Sequence, residues 1–186
     1  LSTGLTKTES VLTWDDLAAH NRRLLDSKCN RYFFVESPKE IKINNAPEQT
    51  AELKLHPDFK ERGLRKLKTK DRFYVTENDL KGFKDGKLYR LMDCLNFIKQ
   101  KNKLIFDSLQ YEKYKKSGDK IIHWLPVQRD LAKVEVLMPS KEIKKGLAEP
   151  MVKNLKIGDI VQFARFGFCK FDKKEKNKLV FWYTHD

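Results

Sequence analysis

After Lys28, helical periodicity largely stops, and a train of short segments rich in β-forming residues takes its place. RYFFVE, EIKIN, TAELKL, DRFYVT, KLYRLMD, LNFIK, KLIFDSL, KIIHWLP, AKVEVLM, GDIVQFARFGFCKFD and KLVFWYTH are each strand-like, divided by turn signals such as SP, NNAP and Asp85-Gly86. A chain partitioned this way folds as a barrel or a sandwich. So many strands overfill one small barrel, so the expectation is a mainly β chain of two small β-barrels behind a short helical segment. Between the strands, HPDFKERGLRKL reads as a loop carrying Pro57 and Gly63, and ENDLKGF as one helical turn. KYKKSGDK reads as a charged turn and KKEKNK as a basic hairpin turn.

One helix precedes them. Thr13 can cap it, Asp15 and Asp16 suit its positive end, and Trp14, Leu17, Ala18, Asn21, Leu24 and Leu25 recur at helical spacing. Residues 1–30 are therefore expected to form a helical lead-in. Residues 31–186 are expected to hold the two barrels, with or without strands interleaved between them.

Charge narrows the partner. Thirty-nine Lys and Arg against 26 Asp and Glu leave the chain at +13. That excess attracts polyanions: nucleic acid first, an anionic membrane surface second, or else it is lysine enrichment for solubility. No apolar run approaches the ~20 residues of a membrane helix. LSTGLTKTES lacks the apolar core of a leader, and a first residue of Leu1 suggests a piece of a longer protein. Three scattered cysteines, Cys29, Cys94 and Cys169, without a C-x-x-C point to a reducing, cytoplasmic compartment and to ordinary thiols. The four scattered histidines give no metal site.

Catalytic signatures are missing. Neither phosphate-loop pattern occurs, Asp15-Asp16 is accounted for by the helix start, and His123, inside IIHWLP, reads as a satisfied structural histidine. No catalytic residue and no cofactor are assigned to this chain. Binding fits better. In GDIVQFARFGF a hairpin turning through Arg165 and Phe166 would close on Gly167, with the glycine in the left-handed conformation of a bulged type I turn. Arg165 could then reach a phosphate or stack on a base. Gln162, a donor and acceptor without charge, suits a base edge or simply faces solvent. Arg31 and Arg90 either join that chemistry or form surface ion pairs.

The ordered phrases NRYFFV, LHPDFKERGLRK, YRLMDCLNF, IIHWLP, GLAEP, GDIVQFARFGF and FWYTH, after GLTKTES and a helix, resemble the C-terminal part of archaeal-type glutamyl-tRNA synthetases. The related glutaminyl-tRNA synthetases share that architecture. The resemblance spans about Gly4 to His185 and implies an anticodon-binding region of two β-barrels, with tRNA(Glu) as partner. It also implies a catalytic domain absent here, which would activate glutamate with ATP and magnesium. By phrase match, Arg31, Arg90, Gln162 and Arg165 correspond to anticodon-gripping positions, Gln162 to the glutamine that reads the central uridine. Lys81 lies near a further contact, with a poor local match. In glutamate tRNAs the central and third anticodon bases would be U and C. Met92 replaces an arginine of the glutaminyl pattern, which favours the glutamyl branch and withdraws first-base reading from the carry-over. The competing functions are a structural RNA-binding barrel of the kind that grips 5S ribosomal RNA and a protein-interaction module.

Overall fold

The computed structural model describes residues 13–186. The GLTKTES phrase and the first part of the lead-in lie outside the described residues. Helix α1 (Trp14–Asp26) starts where expected, with a reciprocal capping box between Thr13 and Asp16. Then follow β1 (Asn30–Tyr32), β2 (Phe34–Glu36), β3 (Pro38–Asn44), β4 (Gln49–Lys54), β5 (Leu64–Thr69), β6 (Arg72–Thr76), α2 (Glu77–Lys81), β7 (Leu88–Leu91), β8 (Asn96–Gln100) and β9 (Lys103–Ser108). Helix α3 (Tyr111–Ser117) leads to β10 (Gly118–Ile122), β11 (Leu125–Pro126), β12 (Ala132–Leu137), β13 (Ile143–Ala148), β14 (Ile160–Phe163), β15 (Gly167–Glu175) and β16 (Lys178–His185).

Two seven-stranded sheets result, in the orders β1-β14-β15-β16-β12-β13-β2 and β10-β7-β8-β9-β3-β6-β11, beside a β4-β5 hairpin. In each sheet the two outermost strands are consecutive in the chain. Sheet one begins on β1 and ends on β2, with only Phe33 between them; sheet two begins on β10 and ends on β11, with only His123 and Trp124 between them. Each sheet therefore curls until a single segment serves as both of its edges, and the mainly β fold of two barrel-like sheets is the one adopted.

The two seams meet. The Phe33 ring lies 6.2 Å from that of His123 and 6.1 Å from that of Trp124. This explains why YFFV is apolar throughout instead of alternating. Tyr32 and Phe34 point into the core of sheet one, while Phe33 and Val35 point into the core of sheet two. A strand buried on both faces has no position left for a polar side chain. Phe33 leaves both ladders, and Glu149 supplies its lost partners: the Phe33 N–H donates to Glu149 Oε1 at 2.6 Å, and the Phe33 carbonyl accepts from the Glu149 N–H at 3.3 Å. Arg65 closes the arrangement with an N–H to Glu149 Oε1 at 2.5 Å, both side chains being buried. Burial raises the Glu149 carboxyl above its ordinary range, and Arg65 and the Phe33 N–H pull it partly back.

Four elements differ from the sequence reading. The HPDFKERGLRKL loop yields at Leu64 to β5, whose inward residues are Arg65, Leu67 and Thr69; an inward arginine hides the alternation. KYKKSGDK is not a turn, because α3 occupies Tyr111–Ser117. The strand Ile143–Ala148 carries two lysines and Gly146, so its pattern reads as polar, yet it pairs on both sides. A Cβ at Gly146 would stand 2.1 Å from the Val35 carbonyl oxygen, so the glycine permits that approach. Finally, the β14–β15 hairpin holds two residues at positive φ, Arg165 at 61° in addition to the expected Gly167 at 138°. Gly167 also makes room for Tyr183 and the His185 carbonyl.

Candidate nucleic-acid interface

Strand β14 buries Val161 and Phe163 and turns Gln162 outward. It pairs in parallel with β1, and the register sets Arg31 opposite Gln162 and Tyr32 opposite Phe163. Arg31 and Gln162, far apart in sequence, thus stand side by side on the outer face of sheet one. The row continues through Phe168 to His185, whose rings lie 4.8 Å apart. Arg31 donates to Asp26 Oδ1 at 2.8 Å from the end of α1, and its Nε is buried without a partner. No hydrogen bond of the Gln162 side chain is found among the described residues.

Arg165 is engaged elsewhere. Its guanidinium meets the Asp79 carboxylate in a fork, NH1 to Oδ2 and NH2 to Oδ1 at 3.0 Å each, and NH1 also donates to His123 Nδ1 at 3.1 Å. Lys120 Nζ reaches Asp79 Oδ1 at 2.7 Å, and the Thr76 hydroxyl donates to Oδ2 at 2.9 Å. Burial alone would raise the Asp79 carboxyl; the hydrogen bonds from Arg165, Lys120 and Thr76 outweigh it and hold the group well below the usual carboxylate range. Burial and the adjacent guanidinium push His123 down to about 4. A neutral His123 accepting through Nδ1 is consistent with that. The clasp ties the hairpin tip of sheet one to α2 beside sheet two, along a cleft of ≈ 320 Å³. It also holds Arg165 in its left-handed conformation.

Arg90 belongs to sheet two and, among the described residues, forms no hydrogen bond or ion pair with Arg31 or Gln162. It is buried, its NH1 donating to Asn96 Oδ1 at 2.8 Å and to the Leu109 carbonyl at 3.1 Å, and its guanidinium carbon lies 5.5 Å from the centre of the Tyr111 ring. Lys81 is exposed at the end of α2, with Nζ 3.0 Å from Glu77 Oε1. The fold therefore joins Arg31 to Gln162, places Arg165 in a clasp, and sets Arg90 apart. Sequence reasoning missed Asp79 and Lys120. Their only signal was Thr76-x-x-Asp79, a helix-start pattern that explains the aspartate without the arginine.

Among the described residues no group of three or more His, Cys, Asp or Glu could hold a metal ion, and no helix is long and apolar enough to cross a membrane. The three cysteines are buried; burial pushes Cys94 up to about 12 and raises Cys29 and Cys169 as well.

This architecture, with Arg31 and Gln162 side by side on one barrel-like sheet, has a matching family. A family model described as "tRNA synthetases class I (E and Q), anti-codon binding domain" matches residues 29–112, and a second model of the same description matches residues 121–172. The chain belongs to this family of anticodon-binding domains. Its relatives include the glutamate–tRNA ligase of Pyrococcus abyssi, 41% identical over 194 residues and covering 100% of this chain. The glutamate–tRNA ligase of Methanocaldococcus jannaschii is 37% identical over 190 residues, covering 98% of this chain. The chain spans 33% of the length of each of these relatives.

Proposed function

We propose that this chain recognises the anticodon arm of tRNA(Glu) as the anticodon-binding part of a glutamate–tRNA ligase, residues 31–186 forming the binding region and residues 1–30 leading in from the catalytic part. Attachment of glutamate with ATP and magnesium would fall to the two thirds of the relatives' length that this chain does not span, in the cytoplasm. The observation that carries the reading is the Arg31–Gln162 pair on adjacent parallel strands. It offers a cation for phosphate and, beside it, an unengaged amide able to read a base edge, in a chain of net charge +13. Lys81 and the other exposed lysines supply sequence-blind attraction, and Arg165 contributes by fixing the hairpin that carries Gln162.

The test is a filter-binding comparison of tRNA(Glu) transcripts with U or C at the central anticodon position. Gln162→Ala should weaken binding to the U form by about 1–3 kcal/mol and leave the C form nearly unchanged. Equal loss on both would remove the base-reading role. Stronger retention of 5S ribosomal RNA than of either transcript would favour a structural RNA-binding barrel, and absence of RNA binding at low salt a protein-interaction module.

A further inference from the structure

Arg90 is expected at an RNA surface, yet it is buried behind a tyrosine. That tyrosine, Tyr111, opens α3 and is 49% exposed. Its ring stacks on that of Tyr114, centroids 6.1 Å apart at 29°. Tyr114 in turn lies against Gly118, where a Cβ would fall 2.1 Å from the ring. The stack thus has a fixed floor: a glycine, then one ring, then a second ring with the Arg90 guanidinium over it and about half its surface still in solvent.

The loop that delivers the stack is equally well held. Asn96, fully buried, donates through Nδ2 to Ser108 Oγ at 2.9 Å and to the Gln110 carbonyl at 2.8 Å, and accepts from Arg90 through Oδ1. Arg90 donates to the Leu109 carbonyl, and Ser108 to Asp107, which also pairs with Lys113. Every residue from Asp107 to Gln110 is thereby fixed from below. Lys115 and Lys116, which follow Tyr114 on α3, are exposed. A half-exposed aromatic ring held by a cation over it, on a helix with exposed lysines, suits an unpaired nucleobase: stacking is indifferent to base identity, and lysines nearby can meet the backbone phosphates.

We propose that Tyr111, backed by Tyr114 and Arg90, is a stacking site for one unpaired base of a bound RNA, carried by α3 beside sheet two and separate from the Arg31–Gln162 pair on sheet one. The proposal rests on the RNA-binding reading above and assigns Arg90 the part of a positioning residue that never touches the base.

The experiment uses the whole chain, ¹³C-labelled at its tyrosine rings, titrated with a stem-loop RNA whose loop is unpaired. The Tyr111 ring resonance, assigned through Tyr111→Phe, should move upfield on binding. Tyr111→Ala should weaken affinity about tenfold whatever the loop sequence, while Tyr111→Phe and Tyr111→Trp stay near the parent. Circular dichroism confirms that the alanine variant, altered at an exposed ring, is folded. An unmoved resonance together with unchanged affinity in Tyr111→Ala overturns the proposal, even if Gln162 proves to read the central base. A ring shift with no Gln162-dependent discrimination sinks the base-reading role and leaves the stacking site standing.

Discussion

Arg65 is the residue whose removal should cost the most, and the structure says why. It is 4% exposed, and its guanidinium lies over the Phe33 ring at 5.1 Å and that of Tyr32 at 5.8 Å. Its partner Glu149 is 0% exposed and also accepts the Phe33 N–H, which has no ladder to join. Arg65→Met preserves most of the packing volume but strands the carboxylate, a loss of about 3–5 kcal/mol. In a chain this long each kcal/mol lowers the melting temperature by about 2–4 °C, so the fall should be about 6–20 °C. The double variant Arg65→Met/Glu149→Leu removes the stranded charge and should recover part of that. It should not recover all, because the buried Phe33 N–H is now unsatisfied, and a residual of about 1–3 kcal/mol is expected. Thermal and urea unfolding of the parent and both variants measure these steps. If Arg65→Met costs less than about 1 kcal/mol, or if the double variant equals the parent, the carboxylate does not hold the seam as described.

The clasp and its histidine give two further expectations. Because His123 is held near 4 in the folded chain against about 6.5 unfolded, the unfolded state takes up the proton first as pH falls. Its contribution is fully present above about pH 6.5 and is lost progressively down to about pH 4, amounting to about 3 kcal/mol. The difference in urea stability between the parent and His123→Gln across that window isolates it from other titrations, and a flat difference would refute it. Arg165→Ala loses the fork to Asp79, about 2 kcal/mol for charge-assisted hydrogen bonds. Arg165→Gly loses the same fork but relieves the left-handed backbone and should be about 1 kcal/mol more stable than the alanine variant; equal midpoints in denaturant would mean that the hairpin tip stores no strain.

Legibility in the sequence followed the range of the interaction. Helix α1 was plain because its cap and its first-turn acids lie within four residues of one another. The outward turn of Gln162 was readable because Val161 and Phe163 flank it. What failed was whatever depended on a distant partner. Arg65 looks like a surface residue until Glu149, 84 positions away, neutralises it inside the core. Arg165 advertises RNA binding, and only the fold shows Asp79, 86 positions away, already in its grip. The Lys-rich run after Tyr111 masks a short helix, α3, none of whose residues is buried. The side-by-side placement of Arg31 and Gln162 came from family resemblance; local pattern carries nothing about a parallel register between the first strand and the fourteenth.

The nesting of the two sheets bears on how the chain is made. All strands of sheet two lie between Pro38 and Pro126, whereas sheet one begins with β1 and β2 and cannot be completed before β12 to β16 have emerged. During synthesis the inner unit has every strand of its own sheet, with Arg65 still waiting for Glu149, while its host is still two lone strands, whose apolar YFFV run is half provided for by the inner core alone. Ribosome-bound chains arrested shortly after Pro126 has cleared the exit tunnel should therefore resist protease from Pro38 onward, and the remaining half, Tyr32 and Phe34, is the stretch a chaperone would find exposed.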